Sequence, residues 1–257
     1  MKILYFTATG NSLYIAKRIG GELLSIPQLE NKRIYNITDD IVGIVFPIYS
    51  WDVPRIVRNY LEKVNIKANY VFTIMTYGML SMAASSQIEE ILKKQNIVLN
   101  YSNEIMMVDN FLPIFDIKNQ LKRKLDKNIE RKLEKINIDI KNRIQKTLKK
   151  LWIKLFLTKS MSKKYLAENG RQNLGYSSKE FIVDSNCNGC GICYKVCPIK
   201  NIIGENKPKY LDNCEFCLAC IHNCSKNSIH LRKEKSNLRY INPNIKLSEI
   251  IDANNQN

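Results

Sequence analysis

The chain has 257 residues, 45% hydrophobic and 25% charged, a balance that supports a buried core and excludes wholesale disorder. Its length favours two domains. Lys and Arg number 40 against 24 Asp and Glu, leaving a net charge of +16, and there are 8 Cys.

Residues 1–117 alternate short β-rich runs with helical patterns, the signature of a parallel α/β sheet. Strands are predicted at 2–6, 33–37, 41–46 and 70–75, with a fifth, interrupted strand from 97–99 and 105–108. Helices are predicted at 12–24, at 55–62 with Pro54 as first helical residue, and at 81–94. From residue 117 onward Leu121, Leu125, Ile129, Leu133, Ile136, Ile140, Ile144, Leu148 and Leu151 recur at helical spacing, predicting one long helix or two consecutive ones.

Charge and cysteine mark different segments. Residues 1–117 carry 11 basic and 11 acidic residues, 118–164 carry 17 and 4, and 165–257 carry 12 and 9, giving net charges of 0, +13 and +3. All cysteines fall between Cys187 and Cys224. The sequence predicts no signal peptide and no apolar run near the roughly 20 residues of a membrane helix, hence a cytoplasmic protein. Cytoplasmic thiols stay reduced, so clustered cysteines there read as metal ligands rather than disulfides.

Cys187, Cys190, Cys193 and Cys197, the last followed by Pro198, recur at an offset of 27 residues as Cys214, Cys217, Cys220 and Cys224, and Ile202 and Ile229 keep the same offset. This is an internal duplication. Three thiols at two-residue gaps suit three corners of an iron-sulfur cube, whereas zinc tetrads, the competing reading, separate two CxxC knuckles by a longer loop. The segment resembles bacterial two-cluster ferredoxins. That resemblance implies two [4Fe-4S] clusters with crossed ligands: Cys187, Cys190, Cys193 and Cys224 for cluster one, and Cys214, Cys217, Cys220 and Cys197 for cluster two. Ser225 stands where the family often repeats Pro.

At the other end, Thr7, Ala8, Thr9, Gly10, Asn11 and Ser12 join the first strand to the first helix. Free backbone N–H groups there attract a phosphate, and the hydroxyls add donors without positive charge. The run lacks the Gly-Lys-Ser/Thr of a Walker loop and the GxGxxG of a dinucleotide fingerprint. It is similar to the TxTGN[ST] phosphate loop of flavodoxins, which implies FMN as ligand and a flavodoxin-like five-stranded parallel sheet. In such a sheet ligands sit beyond the carboxyl ends of the strands. Pro47, Tyr49 and Trp51, and Thr76, Tyr77 and Gly78, are therefore the expected ring contacts, with Asp109, Asn110 and Phe111 bordering. No Gly lies between Pro47 and Pro54, which directs any backbone flip beside the flavin to Gly78.

Together the motifs resemble bacterial flavodoxin/ferredoxin fusion proteins. The expected organisation is an FMN domain over 1–167 that includes the basic helical segment 118–164, a linker at 168–176, a small α+β two-cluster domain at 177–235 and a polar tail at 236–257 with a short docking helix at 247–251. The expected function is electron transfer between FMN and the clusters and on to redox partner proteins, acidic ones if the basic face serves for docking. A flavin-dependent reductase of a small molecule is the first alternative. A nucleic-acid-binding protein with structural clusters is the second, although no nucleic-acid motif accompanies the charge. Residues 151–156 offer a membrane-surface contact. GxSxG and HExxH are absent, and His222 is expected in a loop rather than as a base.

Overall fold

The computed structural model describes residues 1–82, 84–148, 177–204 and 206–255. The expected linker at 168–176, the 149–164 end of the basic segment and the 151–156 surface candidate lie outside them.

The N-terminal half runs β1 (Lys2–Tyr5), α1 (Asn11–Ile19), β2 (Glu22–Ser25), α2 (Ile26–Asn31), β3 (Asn36–Thr38), β4 (Ile41–Pro47), α3 (Arg55–Leu61), β5 (Asn65–Lys67), β6 (Tyr70–Tyr77), α4 (Ala84–Lys94) and β7 (Tyr101–Met106). Five of these strands form one parallel sheet in the order β2-β1-β4-β6-β7. This is the flavodoxin-like order, whose direction of winding reverses between β1 and β4. Successive side chains point to opposite faces, so Ile3 and Tyr5 join a core with α1 while Leu4 and Phe6 join one with α3 and α4. Each fully buried aliphatic or aromatic side chain contributes about 1.5–3 kcal/mol to holding these layers together.

Four expectations change. The helix predicted over 12–24 ends at Ile19, because Gly20 and Gly21 adopt φ of 86° and 103°, which stops a right-handed helix, and residues 22–25 become an edge strand beside β1. The strand predicted at 33–37 is displaced to Asn36–Thr38 and pairs with β5 in a separate two-stranded sheet. The interrupted fifth strand is continuous and lies at Tyr101–Met106, after the first predicted piece and overlapping the start of the second. Pro54 takes the capping position just before α3 rather than its first helical one.

The basic segment begins with α5 (Ile117–Leu121) and α6 (Asp126–Lys141). Ile129, Leu133, Ile136 and Ile140 are buried against the sheet, while the Lys and Arg side chains occupy the other face. Helical periodicity fails after Lys141: Arg143 has a left-handed φ of 50°, and Lys146 instead pairs with Tyr101 at the sheet edge, so Ile144 and Leu148 are not helical.

The cysteine-rich unit contains β8 (Phe181–Val183), α7 (Ile192–Lys195), β9 (Ile202–Ile203), β10 (Lys209–Tyr210), α8 (Ala219–His222) and β11 (Ile229–Leu231), with β8 antiparallel to β11 and β9 to β10. The duplication is visible in the backbone, since α7 and α8 start 27 residues apart behind left-handed Gly191 and Leu218. Beyond it the polar C-terminal stretch crosses back over the N-terminal unit, where Ile245 and α9 (Leu247–Asn254) pack into the α1 and α6 core. Ser25 Oγ donates to the Ala253 carbonyl, and Glu249 pairs with Lys17 at 2.5 Å.

Candidate functional site

Loops leaving the carboxyl ends of β1, β4, β6 and β7 enclose a cavity of about 410 Å³. Thr7, Thr9, Asn11, Ser12, Pro47, Tyr49, Trp51, Thr76, Tyr77 and Gly78 all line it. Gly10 does not: with φ of 92° it caps α1, and its outer side faces Asn242 and Ile245. Asp109, Asn110 and Phe111 complete the inner wall, and the exposed Met79, Leu80 and Ile114 form an apolar rim. Those rim residues belong to no sequence motif; only the folding of two loops over one strand end brings them together.

The loop after β1 is a set of buried hydroxyls whose lone pairs are already engaged. Thr7 Oγ1 accepts from the Gly10 N–H at 3.0 Å, Thr9 Oγ1 accepts from Asn110 Nδ2 at 2.5 Å, and Ser12 and Thr76 share a hydroxyl bond of 2.9 Å. A hydroxyl that accepts still has its own proton to donate. Among the described residues no Lys or Arg lines the cavity. The site therefore suits an anion held by neutral donors and a helix N-terminus.

After β4, Tyr49 and Asp52 exchange two backbone hydrogen bonds of 3.0 Å across Ser50 and Trp51, whose φ angles of 49° and 69° define a type I′ turn. Two left-handed non-glycine residues at a cavity mouth store strain of order 1 kcal/mol each. The Gly78 carbonyl is held by Arg123 Nη1 at 3.0 Å, so a peptide flip expected there would break a charge-assisted bond. Burial raises the Asp52 carboxyl above its ordinary range despite Arg58 at 2.6 Å.

A second, smaller cavity is lined by Cys187, Cys190, Cys193 and Cys224. The electrostatic neighbours of Cys193 are Cys190, Cys224 and Cys187, whereas those of Cys220 are Cys214, Cys217 and Cys197. Cys187, Cys190, Cys193 and Cys224 thus lie near one another, and Cys197 lies near Cys214, Cys217 and Cys220. Burial pushes Cys193 and Cys214 up to about 12, which disfavours bare thiolates and leaves room for a cationic group to offset them. Burial also acts on Cys224, but hydrogen bonds from the Ser228 hydroxyl and backbone outweigh it and lower the thiol. Backbone N–H groups of Asn201 and Phe216 point at the sulfurs of Cys197 and Cys214 at 3.2 and 3.3 Å. The Tyr194 hydroxyl is buried without a hydrogen-bond partner among the described residues, a donor that cluster sulfur would satisfy. No group of three or more His, Cys, Asp or Glu among the described residues is placed to hold a single metal ion. The donor set fits an iron-sulfur cube better than zinc.

The two cavities are joined by packing. Phe111, in the large cavity's wall, meets Phe216 edge to face at 6.2 Å, and Phe216 lies between Cys214 and Cys217 in sequence. Cys217 packs against both cores of the sheet unit. Arg55 pairs with Glu215 at 3.4 Å and donates to the Asn213 carbonyl at 2.8 Å. His222, expected in a loop, ends α8; its Nε2 bonds the Asn110 carbonyl at 2.8 Å and its Nδ1 accepts from the Tyr240 N–H at 3.2 Å. Burial lowers its pKa to about 4, so the ring is neutral at physiological pH and serves as a strut.

The family model described as 4Fe-4S dicluster domain matches residues 179–225. The match supports a ferredoxin-like, iron-sulfur part over those residues. A search of curated proteins gave no match. Among solved structures, the Trp repressor binding protein from Bacillus subtilis is 13% identical, with 41% of this chain and 83% of that one covered at a TM-score of 0.30. Smu.1420 from Streptococcus mutans UA159 is 16% identical, with 53% and 98% covered at 0.35. Among the described residues no helix is long and apolar enough to cross a membrane.

Proposed function

We propose that the chain is an electron-transfer protein with FMN in the large cavity and two [4Fe-4S] clusters on the crossed cysteine sets, a flavodoxin/ferredoxin fusion in organisation. Thr7, Thr9, Gly10, Asn11 and Ser12 would hold the phosphate, and Tyr49, Trp51 and Tyr77 would flank the ring. When bound, a flavin supplies two-electron uptake with one-electron release, and each cluster supplies single-electron transfer. The observation that carries the reading is the Phe111–Phe216 contact, which sets the wall of the flavin cavity directly against the loop of Cys214 and Cys217. Anaerobic purification followed by iron, acid-labile sulfide, zinc and flavin analysis tests it. About eight iron and one FMN per chain support it by cluster stoichiometry; zinc without flavin removes it.

One observation favours a second reading, reduction of a small molecule over the flavin: the cavity mouth is rimmed by exposed Met79, Leu80 and Ile114. Turnover of an apolar acceptor by the purified protein, without any partner protein, would establish that activity. The basic face of α5 and α6 offers a docking surface for an acidic redox partner under either reading.

A further inference from the structure

Three consecutive carbonyls of the loop after β1 are held from outside by three asparagines of the C-terminal third. Asn254 Nδ2 donates to the Thr7 carbonyl at 3.0 Å, Asn223 Nδ2 to the Ala8 carbonyl at 3.1 Å, and the Asn242 backbone N–H to the Thr9 carbonyl at 2.8 Å. All three asparagines are buried, at 0%, 2% and 3% exposure. The grip extends to Asn11, whose Oδ1 accepts from the Tyr240 hydroxyl at 2.9 Å and from Asn242 Nδ2 at 3.1 Å.

The consequence follows from peptide geometry. In a trans peptide the carbonyl and the following N–H point in opposite directions, and the described residues contain no cis bond. Holding the carbonyls of Thr7, Ala8 and Thr9 outward therefore turns the N–H groups of Ala8, Thr9 and Gly10 toward the cavity. The Gly10 N–H shows the direction, since it bonds Oγ1 of the cavity-lining Thr7. The N–H groups of Ala8 and Thr9 have no acceptor among the described residues, although both residues are buried. Buried backbone donors without partners are rare in native proteins, and successive inward N–H groups form an anion-binding nest. The outer side of the turn is closely packed: a Cβ at Gly10 would lie 3.0 Å from Cβ of Ile245 and 3.1 Å from Cβ of Asn242.

We propose that Asn223, Asn242 and Asn254 are positioning residues that hold the amides of the 7–10 turn toward the cavity, so that affinity for the ligand's phosphate depends on the C-terminal third of the chain. This rests on the FMN reading above. None of the three touches the ligand cavity, so their effect is transmitted through the loop peptides and, for Asn242, through the Asn11 side chain.

The test uses the full chain carrying Asn254→Ala, which removes the donor to the Thr7 carbonyl, or Asn223→Ala, which removes the donor to the Ala8 carbonyl. The second variant carries the test if the first does not fold. Two quantities are measured: amide hydrogen exchange of residues 7–12 without ligand, and dissociation constants for FMN and for riboflavin, which lacks the phosphate. The expected result is faster exchange in the loop, a loss of FMN affinity of about tenfold, as for one displaced charge-assisted hydrogen bond, and a change for riboflavin below about twofold. Unchanged loop exchange would overturn the positioning role. Faster exchange with equal losses for both ligands would overturn its phosphate specificity. If the unaltered protein does not prefer FMN to riboflavin, the flavin-phosphate reading falls instead, while loop exchange still decides whether the asparagines position the turn.

Discussion

Gly189 and Phe216 occupy equivalent places in the duplicated cysteine loops, 27 residues apart, and both adopt a left-handed backbone, with φ of 72° and 52°. Gly191 and Leu218 repeat the relation at 76° and 62°. Glycine takes this conformation freely, whereas a bulky residue does so at a cost of about 1 kcal/mol. Phe216 and Leu218 are nevertheless wholly buried, against Phe111, Phe181 and the sheet unit's flank. The second copy accepts backbone strain because its loop, unlike the first, forms an interface.

Replacing Phe216 by Gly should therefore give back about 1 kcal/mol of strain and forfeit the roughly 3–5 kcal/mol of a truncated buried aromatic, a net destabilisation of about 2–4 kcal/mol. Thermal unfolding under anaerobic conditions measures it. An unchanged or raised midpoint would show that Phe216 is not an interface anchor.

Removing the metal should disturb both units. Asn223 lies between Cys220 and Cys224 in sequence and grips the Ala8 carbonyl at 3.1 Å, and small iron-sulfur units depend on their clusters for folding. Anaerobic chelation is expected to abolish structure in 179–225 and to weaken FMN binding at a distance. Circular dichroism and flavin fluorescence follow the two events; full retention of FMN after iron loss would uncouple them.

Ser12→Ala removes the hydroxyl that bonds Thr76 at 2.9 Å at the mouth of the proposed phosphate site. Loss of one hydrogen bond to a charged group costs about 1.5–3 kcal/mol, or at least tenfold in affinity. FMN binding should fall by that factor while riboflavin binding stays near its original value. Titration calorimetry with both ligands distinguishes this from general damage, which would lower the two alike.

Glu249 fastens α9 through hydrogen bonds from Lys17 and from the Lys246 N–H, which hold its carboxyl below the ordinary carboxylate range. A carboxyl depressed in the folded state stabilises fully above its unfolded pKa and loses that stabilisation as pH falls through the folded value. Amide exchange in α9, corrected for intrinsic rates, should stay level from pH 7 down to the ordinary carboxylate range and accelerate only as pH falls below it through the depressed folded value. Glu249→Gln should remove that dependence and raise the rate at pH 7. An identical pH response in both proteins would assign the loosening to another group.

Local signals were legible where chemistry depends on near neighbours in the chain. The cysteine spacing and its 27-residue repeat marked the iron-sulfur unit, and the Thr-rich turn after β1 marked the edge of the large cavity, because a capped helix N-terminus is built from six consecutive residues. The sheet was legible as a class. Its β2 strand was not, because Gly20 and Gly21 cut short a pattern that continues helically through Leu23 and Leu24. Arg143 did the same to the Ile140, Ile144, Leu148 series, and hydrophobic period carries no information about a reversal of φ.

The sequence by itself thus determined the parallel sheet and the cysteine-rich segment that matches a 4Fe-4S dicluster model. Tertiary structure alone decided that the polar stretch after the clusters is a strap across the first loop. The eight residues of α9 show an ordinary amphipathic pattern, and Asn223, Asn242 and Asn254 look like any polar surface residues. Their role arises from hydrogen bonds spanning 215 to 247 positions of the chain, and such long-range pairing is fixed only when the buried carbonyls of Thr7, Ala8 and Thr9 must find donors in the folded protein.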